Sequence, residues 1–177
     1  MVFAPRGGGK TALKRMIEIS SLSEPFMCIT YNQFNVASQK LSDIDLDYHL
    51  ENIARLLLVA IISSAADRGV EKLSADDRHI LYLMTKEYLS AIDTTDLKNA
   101  IASVQNLSDK AKEWWNNFTG PIGLVLNALL TKIGFGTAEV EKFKKAGGKL
   151  GNRVDQISTP GSMARSLGYA CIYVLID

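Results

Sequence analysis

Hydrophobic residues fall into two patterns along this chain. At residues 26–32, FMCITYN, they form a short continuous run rich in β-favouring types, and this predicts a buried strand. Residues 171–176, CIYVLI, repeat that pattern near the end of the sequence and run directly into Asp177. A third apolar stretch, MVF at residues 1–3, reads as the end of a strand. Elsewhere apolar positions recur at three- and four-residue spacing. Residues 11–19, TALKRMIEI, put Leu13, Met16 and Ile17 on one side of a predicted amphipathic helix. A turn at residues 21–25, SLSEP, separates that helix from the strand after it.

The long middle reads as helical throughout. Ser42, Asp43, Ile44 and Asp45 have the form of a capping box, with the acids Asp43, Asp45 and Asp47 near a positive helix end. The helix they open carries Leu46, Leu50, Ile53, Leu57 and Ile61, turns apolar on all sides, and stops at Gly69. Ser74 with Asp77, Thr95 and Ser108 each start a further helix, and residues 121–133 form another, closed by Gly134 and Gly136. One of Trp114 and Trp115 belongs in the core. Residues 141–153, EKFKKAGGKLGNR, read as a solvated helix end and a glycine-broken loop. Thr159, Pro160 and Gly161 predict a turn, followed by a short helix into Gly168. The expected architecture is one α/β domain over residues 1–177, with parallel strands at its base and an all-helical insertion at about residues 42–155.

Composition narrows the class. Hydrophobic residues make up 47% and charged residues 22%, so a sizeable core can form. A net charge of +1 gives no electrostatic bias toward nucleic acid or anionic lipid. Cys28 and Cys171 both sit in apolar runs and read as reduced core thiols of a cytoplasmic protein. His49 and His79 lack partners at zinc-ligand spacing. No secretory signal opens the chain, and the apolar run at residues 56–62 falls short of a membrane span, so no membrane partner is expected.

The candidate chemistry lies at the two ends. Residues 4–11, APRGGGKT, match a phosphate-binding loop with alanine in place of the first glycine. A polyphosphate needs several N–H donors converging on a small volume. Gly7, Gly8 and Gly9 leave the backbone free of side chains that would block the approach. Lys10 adds a mobile positive charge for the β- and γ-phosphates, and Thr11 offers a hydroxyl to Mg²⁺. The following helix presents its positive end to the anion.

On these residues the chain resembles the P-loop nucleoside triphosphatases. The PRGGGKT form at residues 5–11 is most similar to AAA+ and STAND-like ATPases, including the origin-recognition group. The resemblance implies ATP and Mg²⁺ as cofactors, bound by Gly7, Gly8, Gly9, Lys10 and Thr11. It also implies a second motif, a hydrophobic strand ending in aspartate. Residues 171–177 fit, making Asp177 a Mg²⁺ ligand through water, and no other acid follows a predicted strand. The catalytic glutamate, sensors and arginine finger would lie beyond Asp177. The sequence therefore reads as the nucleotide-binding part of a larger regulatory or mechanical ATPase, with a protein partner or oligomer open and nucleic acid not expected. Two alternatives stay open: a small-molecule kinase with the same loop, and a helical interaction module with a vestigial one.

Overall fold

The computed structural model describes residues 9–32, 44–105, 107–117 and 122–176. Helix α1 (Lys10–Ser20) leads into strand β1 (Phe26–Tyr31). A helical run follows: α2 (Leu46–Arg68), α3 (Ala75–Tyr88), α4 (Thr94–Ser103), α5 (Asp109–Asn116), α6 (Ile122–Lys132), α7 (Thr137–Ala146) and α8 (Arg153–Ser166). Strand β2 (Cys171–Ile176) then pairs in parallel with β1, in a register from Phe26 opposite Cys171 to Tyr31 opposite Ile176. The described chain is thus mostly helical around a two-stranded parallel sheet. Between residues 44 and 155, the one β contact among the described residues is an isolated antiparallel bridge of Val104 to Ile29, so that region adds no strand.

Side-chain capping sets most of the helix starts. Asp45 accepts from the Tyr48 amide at the head of α2, Ser74 from Asp77, Ser108 from Ala111 and Asn152 from Asp155. The Ser74 hydroxyl also donates to the Asp77 carboxylate, which locks the first turn of α3. Helix α4 starts one residue before the expected Thr95, because Asp93 caps it by accepting from both Thr95 and Asp96. Ser42 and Asp43, the first half of the expected capping box, lie outside the described residues.

Helix α2 is the spine of the core. Leu56 through Ala65 are all buried, and α3, α4, α5 and α8 pack around this segment. It is long and apolar enough to cross a membrane, but 67% of its most apolar stretch is buried inside the fold. All-round hydrophobicity here answers to neighbours on every side. The exception is Leu46, expected on the apolar stripe but exposed in the first turn, ahead of the packed segment. Trp115 fills the core and donates its indole N–H to the Ser63 hydroxyl at 2.8 Å, while Ser63 donates to the Val59 carbonyl.

Two further expectations fail. No turn forms at Pro160 and Gly161, because α8 runs straight through both. Proline costs the helix one bond, at the Gln156 carbonyl. Burial of Met163, Ala164 and Leu167 against the core outweighs it, and Ser158 and Thr159 hydroxyls donate to the Asp155 carbonyl in the turn before. Nor are the two cysteines alike, since Cys28 is buried and Cys171 is exposed. The reason lies in sheet coverage. Met27, Ile29, Tyr31, Ile172 and Val174 face the helical core. The opposite face carries Cys28 and Thr30, which α1 covers. By register, Cys171 and Tyr173 share that face one strand further out, where α1 does not reach.

Candidate functional site

The parallel register brings the carboxyl ends of β1 and β2 together at Tyr31 and Ile176. Helix α1 lies on the outer face of β1, joined to its start by residues 21–25, so the two run in opposite senses. The amino end of α1 therefore sits at the carboxyl end of the sheet. Thr11 shares a cavity of about 370 Å³ with Thr30 and Asn32, which close β1. Ligands of parallel α/β sheets collect at this end.

Gly9 precedes the helix with φ 77°, in the left-handed region that glycine adopts without strain. Open space surrounds the position a Cβ would take there. The Gly9 carbonyl accepts the first helical bond, from Leu13. Among the described residues no side chain caps this end, and no acid occupies the first turn, in contrast to α2, α3, α4, α5 and α8. Among the described residues, no capping side chain and no first-turn acid thus meets the first-turn amides and the positive helix end. Lys10 and Thr11 are the first two helical residues and both are exposed. Of the expected loop residues, the structure brings Gly9, Lys10 and Thr11 to the helix start. Gly7, Gly8 and Asp177 lie outside the described residues, as do residues 1–3.

Beneath α1 lies a polar layer that sequence reasoning did not single out. The Glu18 carboxylate accepts from Arg15 at 3.0 Å and meets the Thr30 hydroxyl at 3.5 Å. Cys28 sits close by, and its thiol is pushed up to about 11, first by burial and then by the Glu18 charge, with Lys14 opposing. Ser103 and Gln105 reach the same region from the end of α4, and the Gln105 amide donates to the Cys28 carbonyl at 3.0 Å.

No cluster of three or more His, Cys, Asp or Glu that could hold a metal occurs among the described residues. A hydroxyl such as that of Thr11 is the kind of oxygen that Mg²⁺ takes as a ligand when it is shared with a polyphosphate. The exposed Thr11 fits that role. No protein-family model, no curated protein and no solved structure matches this chain.

Proposed function

We propose that the chain binds a Mg²⁺–nucleoside triphosphate, ATP by resemblance, as the nucleotide-binding part of an ATPase with a P-loop core. The observation that carries this reading is the start of α1 at the carboxyl end of a parallel sheet, led by Gly9, Lys10 and Thr11, with no capping side chain or first-turn acid among the described residues. The β- and γ-phosphates would take the amides of Gly7 to Gly9 and the Lys10 ammonium. Mg²⁺ would sit between the Thr11 hydroxyl and the Asp177 carboxylate, neutralising phosphate charge.

Topology supports bringing the two motifs together. Helix α1 covers one face of β1, and the helices between β1 and β2 pack on the other. Parallel crossovers are right-handed. Applied to both connections, that rule would put any strand formed ahead of α1 on the same side of β1 as β2. Occupancy of the edges agrees, since β1 meets Val104 and Gln105 along its other edge. In such an arrangement the phosphate loop and Asp177 would leave neighbouring strands at one end of the sheet.

No group that would activate water is assigned here, so the reading is of nucleotide binding first. Lys10→Ala removes a charge-assisted contact and is expected to weaken Mg²⁺–ATP binding by about 1.5–3 kcal/mol. Folding should not change, because Lys10 is exposed. Titration of a fluorescent ATP analogue against both proteins is the test, and equal affinities would refute the phosphate loop.

A further inference from the structure

We propose that the cavity between α1, the end of β1 and the end of α4 is a second small-molecule site, for a hydroxylated oxyanion such as a polyol phosphate or hydroxycarboxylate. Its volume, about 370 Å³, is within the range of metabolite pockets. Thr11, Lys14, Arg15 and Glu18 line one wall at helical spacing, and Thr30, Asn32, Ser103 and Gln105 line the opposite side.

The lining selects the ligand class. Among the described lining residues two cations, Lys14 and Arg15, stand against one carboxylate, Glu18, which Arg15 pairs with, so an anion is favoured. Three hydroxyls and two amides both donate and accept, which suits a ligand bearing hydroxyl groups. No aromatic ring is among the described lining residues, so none of them offers a nucleobase a stacking surface. The decisive feature is Thr30. It is only 4% exposed, yet its hydroxyl meets Glu18 at 3.5 Å, beyond good hydrogen-bond geometry. A hydroxyl that donates one bond still has acceptor lone pairs for a further partner. Thr11 borders both this cavity and the phosphate loop, so an occupant would lie beside a bound triphosphate. Its binding does not require the nucleotide, because Lys14, Arg15 and Thr30 belong to the cavity and not to the loop.

Glycerol 3-phosphate and glycerate, titrated separately into the labelled protein and followed by backbone amide NMR, distinguish the phosphate and carboxylate forms. Saturable shifts are expected for Thr30, Asn32, Ala102, Ser103 and Gln105 with at least one of them. They should persist in Lys10→Ala, which disables only the loop, and affinity should fall about tenfold or more in Lys14→Gln/Arg15→Gln. The rest of the spectrum shows whether that variant keeps its fold, and Arg15→Gln alone should give a smaller loss in the same direction. Shifts confined to Gly9, Lys10 and Thr11, shifts abolished by Lys10→Ala, or no saturable shift with either compound would overturn the proposal.

Discussion

Cys28 and Cys171 differ in chemistry because one helix covers one strand and not its neighbour. Burial and the Glu18 charge raise the Cys28 thiol from 9.0 to about 11, so its thiolate is disfavoured in the folded protein. A thiol reagent at pH 8 should label the exposed Cys171 and spare Cys28, which mass mapping after digestion reads directly. The same shift sets a sign for stability. Below pH 9 the full contribution is present, and between pH 9 and about 11 the unfolded chain loses this proton first. Urea unfolding should therefore show stability declining through that window, with a shallower decline in Cys28→Ala. A further residue-scale test is Trp115→Phe, which removes the N–H bond to Ser63 and leaves a gap at a fully buried position. It should cost about 1–3 kcal/mol by denaturant unfolding.

Elements were legible wherever their signals are local. Ser74 and Ser108 announce their helices because a cap needs just its own next three residues. The strands Phe26–Tyr31 and Cys171–Ile176 were legible because continuous apolar, β-favouring runs have few alternatives. Helix α8 was not, since the proline and glycine within it argue locally for a turn. Only the distant partners of Met163, Ala164 and Leu167 overrule them. That override leaves a measurable weakness at Gly161. A Cβ there would meet nothing within 4 Å. Gly161→Ala should thus stabilise the protein by about 0.5–1 kcal/mol, seen as a higher denaturation midpoint. No gain would mean that α8 is not continuous through this position.

At the scale of the whole molecule, the helix start at residues 9–11 was legible because glycines ahead of an amphipathic pattern are a local signal. The cavity behind α1 was not, because residues 11–18, 30–32 and 102–105 meet only once the sheet and α4 are assembled. The central claim is that the start of α1 and the end of β2 serve one metal–triphosphate site. It is tested most directly by ATP affinity with and without Mg²⁺, in the wild type and in Thr11→Val and Asp177→Asn. Both variants keep size and shape while removing a metal-facing oxygen or its charge. The account predicts that Mg²⁺ tightens ATP binding in the wild type and that each variant loses most of this gain while retaining Mg²⁺-free binding. Affinity indifferent to Mg²⁺ in the wild type, or a full Mg²⁺ gain in both variants, would contradict it.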